Sequence, residues 1–176
     1  DVHRIEREGK QPFEQYPRNV ARAAEAYMRQ SGLADQALFG PEFELNIFDR
    51  LRFTTRPERV AVEIGCEFAE WSSFDADSHG YQVPHKGGYH VDQPQDFTFD
   101  LRNEICELLT RSRVPVKYHH TEVAGPGQVE FELQFGPMTE MADRSLLLKY
   151  IVKNAALKAG KTATFMPKPI YDEAGN

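Results

Sequence analysis

The sequence predicts an α+β fold, with a mainly antiparallel sheet flanked by helices. Segments with a two-residue apolar period alternate with segments of helical period, the mixture expected when strands and helices share a core. The link Ala124-Gly125-Pro126-Gly127 is short enough to fold the strands on either side back onto each other. The chain has 176 residues, 40% of them hydrophobic and 11% aromatic, which is enough apolar surface for one ordinary domain and too much for a disordered segment.

The opening residues read as an irregular arm. A helix follows from Pro17, a residue suited to the first helical position. Val20, Ala24, Tyr27 and Met28 recur at helical spacing, and Ser31-Gly32 supplies the stop. From Ala37 to Phe48 the period changes to two: Phe43, Leu45 and Ile47 alternate with Glu42, Glu44 and Asn46, which predicts a strand. Val60 to Phe68 predicts another. Trp71 to Pro94 is rich in Gly, His, Ser, Asp and Pro and reads as a long surface excursion carrying a Lys86-Gly87-Gly88-Tyr89 turn. A second helix is expected with Asp100 as its cap and Leu101, Ile105, Leu108 and Leu109 on one face. Val114 to Val123 and Gln128 to Phe135 predict two strands, with Phe131 and Phe135 as core aromatics. Thr139 to Ala159 predicts the longest helix, ended by Gly160, and Thr162 to Met166 a last short strand.

Composition excludes several function classes. The chain carries 21 Lys+Arg against 27 Asp+Glu, a net charge of −6, and no basic block, so general nucleic-acid binding is not expected. Charges recur too often for a membrane span, and the first residues lack the apolar core of a signal peptide, so the expectation is a cytoplasmic protein. Cys66 and Cys106 are too isolated for a disulfide framework or a cysteine zinc site. Phosphate loops of the GxxxxGK[ST] type, dinucleotide fingerprints and nucleophile elbows are all missing.

The chemistry that remains is acidic. Glu42 and Glu44 lie two apart on a predicted strand, so they share a face at roughly 7 Å separation, given about 3.3 Å rise per residue. Glu122 ends one later strand, and Glu130 and Glu132 share a face of the next, beyond the Gly-Pro-Gly turn. Facing carboxylates repel unless cations neutralise them, and Mg²⁺ and Mn²⁺ prefer such oxygens. A solvated strand face is the competing explanation. His119 and His120 are neighbours on a strand, so they point to opposite sides and do not serve one ion together. Spacing alone indicates an acidic divalent-metal site and names no reaction.

Five blocks of sequence go further. Gly40-Pro41-Glu42-Phe43-Glu44, Lys86-Gly87-Gly88-Tyr89, His119-His120-Thr121-Glu122-Val123-Ala124, Gly127-Gln128-Val129-Glu130 and the run Thr162 to Pro169 resemble, in this order, the bacterial glutamine synthetases. Lys149 to Ala156 matches as well, and the resemblance extends from about Pro12 to Asn176. It implies ATP-dependent ligation of ammonia to glutamate, with Mg²⁺ or Mn²⁺ as cofactor and ATP as co-substrate. It assigns Glu44, Glu122 and Glu130 to one metal and Glu42 to a second. Tyr89 and Glu122 fall at the ammonium pocket, Phe135 beside adenine, His120 among phosphate-side histidines, and Gly175 in the glutamate-binding loop. It also implies a twelve-subunit homo-oligomer.

Three departures bear on substrate. Thr121 replaces the third histidine of the family's HHHEVA, Lys117 stands where an acidic residue often lines the nucleotide pocket, and Leu45-Asn46 replaces a pair of aromatics. They leave open a γ-glutamyl-polyamine or other amine ligase, or a noncatalytic domain that kept the fold. The blocks correspond to the first part of the family's catalytic domain. Residues 1–176 are therefore expected to be a partial domain, without the small N-terminal β-grasp domain and the later histidine, acidic and arginine groups, and inactive alone.

Overall fold

The computed structural model describes residues 2–6, 9–72 and 80–176. Along the chain run β1 (His3–Glu6), β2 (Gly9–Pro12), α1 (Pro17–Gln30), β3 (Leu38–Phe39), β4 (Glu42–Phe48), β5 (Arg50–Arg56), β6 (Arg59–Gly65), α2 (Phe99–Arg111), β7 (Val116–Thr121), β8 (Gln128–Leu133), β9 (Gly136–Pro137), α3 (Met138–Lys158) and β10 (Thr162–Thr164). They divide into two units, Asp1–Pro41 with Gln134–Leu147, and Glu42–Leu133 with Leu148–Asn176.

In the first unit the opening is an antiparallel hairpin, β1 against β2, and not an irregular arm. Every β2 side chain is exposed, so no buried face imposes an apolar alternation that the sequence would show. Pro17 opens α1, and the helix closes at Ser31, whose N–H reaches the Tyr27 carbonyl at 2.8 Å. The apolar stripe of α1 does not become core: Val20 is 52% and Tyr27 67% exposed. The strand expected from Ala37 breaks at Gly40-Pro41, where proline offers no N–H to a ladder. Its first piece, β3, pairs with β9, Leu38 opposite Pro137 and Phe39 opposite Gly136. Phe135 sits just before β9, past the end of β8, and is 69% exposed, so it is not the core aromatic expected of its strand. Glu25 accepts the Thr139 N–H at 3.0 Å where α3 begins, and Arg18 grips Asp143 through bonds of 2.8 and 2.9 Å.

The second unit is built on a four-stranded sheet in the order β10-β4-β8-β7, with every neighbouring pair antiparallel. One face supplies apolar side chains: Leu45 and Ile47 from β4, and Val129, Phe131 and Leu133 from β8, are all buried. Ile105 and Leu109 of α2 and Leu148 and Val152 of α3 are buried with them. Asp100 lies in the first turn of α2 and does not cap it. The cap position is Thr98, tied to Asp96 Oδ1 through its N–H at 3.2 Å and its hydroxyl at 2.8 Å. Asp96 Oδ2 in turn holds buried Arg102 at 2.6 Å.

β5, which the periodicity did not single out, forms a largely exposed hairpin with β6 across Pro57-Glu58. The excursion from Trp71 to Pro94 is only partly a surface feature. Residues 73–79 lie outside the described residues, but Val83 bridges Ala69 and both are buried, as is Gly88.

Candidate metal centre

Antiparallel register, more than any single residue, builds the site. β4 and β8 place Glu42 opposite Glu132 and Glu44 opposite Glu130, while β7 places Tyr118 opposite Glu132 and His120 opposite Glu130. Because side chains alternate along a strand, these pairs stand on the face away from Leu45 and Phe131. His119 takes the other direction, its ring 5.8 Å from that of Phe131, and burial pushes its imidazole pKa down.

Among the described residues two groups of metal-competent atoms result, each with its atoms within 4.8 Å of one another: His120, Glu122 and Glu130, and Glu42, Glu130 and Glu132. Glu130 belongs to both. His120 Nδ1 lies 3.1 Å from the Thr121 carbonyl, to which it donates if it carries the ring proton; Nε2 then turns its lone pair toward Glu130 Oε2 at 3.7 Å. Glu122 spends Oε2 on the Val123 N–H at 2.8 Å and keeps Oε1 3.6 Å from His120. Glu44 falls in neither group: its Oε2 accepts from Gln128 Nε2 at 2.9 Å.

The electrostatics are unfavourable to the protein alone. Burial, then Glu122 and Glu42, push the Glu44 carboxyl up. Burial raises Glu130 further, to about 7, with Glu122 and Glu42 adding and His120 opposing. A carboxyl whose folded pKa exceeds its unfolded value of 4.5 stabilises the fold while protonated, and that contribution is lost as pH rises through about 7. Melts in chelator should therefore show falling stability from about pH 5 to about pH 7.5, and Mg²⁺ should restore more at the upper end. Equal Mg²⁺ effects at both ends would refute this.

Two loops close around the sheet face. Gly88 packs so tightly that a Cβ there would lie 2.3 Å from the Glu122 carbonyl and 2.7 Å from that of Gly125. This approach, with the His90 N–H on the Thr121 carbonyl at 3.1 Å, brings Tyr89 edge-on to His120 at 5.8 Å and His90 to 4.4 Å from it. From the other side, Gln128 Nε2 reaches the Gly175 carbonyl at 3.0 Å and Asn176 Oδ1 at 2.8 Å. Buried Glu173 ties the same terminal run to the Lys86 N–H at 3.1 Å and to His85 at 3.0 Å.

Of the residues singled out by sequence, Glu42, Glu122, Glu130 and His120 come together, Glu44 faces Glu130, and Tyr89 touches the His120 ring. Gly175 is joined to Glu44 through Gln128. Phe135 lies in the first unit. The two-residue period already puts Glu132 on the face of Glu130, but the family resemblance assigns it to no metal; the structure brings it within reach of Glu42 and Glu130. Sequence reasoning assigns no role to Gln128, His90 and Glu173, because the partners that place them at the site, Glu44 and Gly175 for Gln128, His120 for His90, and His85 and Lys86 for Glu173, are distant in sequence.

The chain matches the family model described as the catalytic domain of glutamine synthetase over residues 14–176. It is 47% identical over 167 residues to a glutamine synthetase of Streptomyces coelicolor, covering 93% of this chain and 36% of that protein. It is 41% identical to a 3-hydroxylaminophenol mutase of Cupriavidus pinatubonensis, again covering 93% and 36%. The cryo-EM structure of Plasmodium falciparum glutamine synthetase shares the fold, with a TM-score of 0.83 at 22% identity over 99% of this chain and 37% of that one. The chain thus spans about a third of the length of the curated relatives it matches. It belongs to the glutamine synthetase catalytic-domain family.

Proposed function

We propose that the protein carrying this chain is a glutamate–ammonia ligase that joins ammonia to the γ-carboxylate of L-glutamate with ATP. The observation that carries this reading is the convergence of Glu42, Glu122, Glu130, Glu132 and His120 on one sheet face, in a chain of this family. The donor set fits Mg²⁺ or Mn²⁺, since it is carboxylate oxygen with one imidazole. Glu132 Oε2 is buried without a hydrogen-bond partner among the described residues, which also fits a cation.

A carboxylate resists attack by ammonia because oxide is a poor leaving group. In the proposed reaction a γ-carboxylate oxygen attacks the terminal phosphorus of ATP and ADP leaves. Ammonia then attacks the acyl carbon and phosphate leaves. Bound divalent cations supply charge neutralisation for the transferring phosphoryl group. Glu44, Glu122 and Glu130 hold one cation and Glu42 contributes to a second, which Glu130 is also close enough to reach, with His120 on the phosphate side. Glu122 and Tyr89 line the ammonium pocket, where the carboxylate favours the cation and accepts its proton. The Gly175 backbone orients glutamate, and Phe135 is assigned to adenine.

The same reading makes the chain part of a longer cytoplasmic enzyme assembled as a dodecamer. Exposed Phe53, Val60 and Val62 on the β5–β6 hairpin offer apolar surface for a second copy to cover. Among the described residues no helix is long and apolar enough to cross a membrane.

The rings of Tyr89, His90, Tyr118 and His120, with centroids 4.3 to 5.8 Å apart, favour a second reading, an organic amine in place of ammonia, because ring faces attract alkylammonium ions. The test is ADP release by the protein carrying this chain, with glutamate, ATP, Mg²⁺ and either ammonium, methylammonium or putrescine. Release should require glutamate and one amine, and the preferred amine decides between the readings. Release independent of glutamate would exclude both in favour of ATP hydrolysis, and no release would exclude both and leave a noncatalytic domain.

A further inference from the structure

The carboxylate face also presents Lys117, and a break in the ladder puts it there. The register between β7 and β8 slips between Val116, opposite Leu133, and Tyr118, opposite Glu132. Lys117 is therefore the unpaired residue of a β-bulge. In an unbroken ladder it would alternate away from Tyr118 onto the face of His119; a bulge re-aims such a side chain. Its ammonium reaches Glu132 Oε1 at 2.6 Å while the lysine side chain stays 54% exposed.

Glu132 is in the opposite situation. It is only 8% exposed, and Oε2 is buried with no hydrogen-bond partner among the described residues. The Tyr118 phenol approaches the same carboxylate and is pushed up to about 12 by it, first through hydrogen bonding and then through desolvation, yet Oε2 still lacks a partner of proper geometry. An oxygen of Glu132 lies within 4.8 Å of ligand oxygens of Glu42 and Glu130. Hydrogen bonds from Lys117 and then Tyr118 hold the Glu132 carboxyl pKa low, so the group is charged and paired on one side, while Oε2 is the oxygen left without a partner in a side chain only 11% exposed.

We propose that Glu132 is shared between Lys117 and the metal site: Lys117 holds it in the absence of a cation, and a divalent cation held by Glu42 and Glu130 takes it as a further ligand in competition with that lysine. The proposal rests on the metal-site reading above. A half-exposed lysine can retreat into water, where its ammonium is hydrated again. Close to a bound cation, its charge is repulsive. Lys117 thus sets the cation concentration at which the site fills.

The test is calorimetric titration of the 176-residue chain with Mn²⁺, comparing the native sequence with Lys117→Met, Glu132→Gln and the double variant. Lys117→Met is expected to tighten binding about ten-fold and Glu132→Gln to weaken it about ten-fold. In the double variant the gain from Lys117→Met should shrink to under about three-fold, because the lysine acts through Glu132. Lys117→Arg, which keeps the charge, should leave affinity near native. Unchanged affinity in Lys117→Met, or a gain undiminished in the double variant, overturns the proposal. Circular dichroism confirms that each variant is folded, and Lys117→Met decides by itself if Glu132→Gln is not. Native binding that falls with Glu130→Gln but ignores Lys117 and Glu132 removes only the sharing. No Mn²⁺ binding by the native chain removes both the sharing and the metal site.

Discussion

Glu130→Gln will weaken Mn²⁺ binding by at least about 100-fold, more than the 10- to 100-fold lost when a residue merely supporting a ligand is changed. Glu130 is the one residue common to both groups of metal-competent atoms, so a single substitution removes charge from each. Glutamine keeps the volume and one carbonyl oxygen, which separates the loss of charge from a loss of packing. The same change should raise stability without metal above about pH 7, since it removes a buried carboxylate that ionises there. Weaker metal binding together with a firmer apo fold is a pattern that simple misfolding does not produce. A loss below about ten-fold in calorimetry would show that Glu130 is not a shared ligand.

Gly127→Ala is expected to destabilise the second unit by about 2–6 kcal/mol, combining the strain of a left-handed residue with overpacking. Gly127 has φ +88°, and a Cβ there would lie 2.2 Å from the Ile47 carbonyl. Its own carbonyl accepts the Ile47 N–H at 2.7 Å, at the point where β4 and β8 begin to pair. The obstruction is backbone, so no side chain can swing aside. Gly160→Ala is the control: φ is +72° but nothing lies within 4 Å, so only the conformational cost of about 1–2 kcal/mol should appear. Chemical denaturation of both variants measures the difference. Equal losses would mean that the close approach contributes nothing.

Much of this arrangement was legible because local rules and the fold agree. A period of two put Glu42 and Glu44 on one face, and the Gly-Pro-Gly link allowed β7 and β8 to turn back. The sheet, its antiparallel sense and most helix limits follow from such patterns. What stayed hidden depends on register and distance. The hairpin at His3–Pro12 has an exposed β2 whose faces the sequence cannot distinguish. Asp96, and not Asp100, organises the start of α2, through partners that only the folded loop supplies. The bulge at Lys117 changes one side chain's direction without leaving a mark in composition. Family resemblance named the ligand candidates, yet it did not show that Gln128 occupies an oxygen of Glu44.

That amide has a thermodynamic consequence. Gln128 Nε2 carries two hydrogens and faces three acceptors, Glu44 Oε2, the Gly175 carbonyl and Asn176 Oδ1, all within 3.0 Å. At any instant one of them goes short. A molecule that draws Gly175 or Asn176 away leaves more of the amide for Glu44, which steadies that carboxylate's negative charge. A cation that engages Glu44 loosens the amide's hold on it and leaves more for the terminal segment. Linkage requires the two effects to be equal in free energy, with typical couplings of about 1–3 kcal/mol. One glutamine side chain thus makes occupancy of the loop and occupancy of the metal site report on each other.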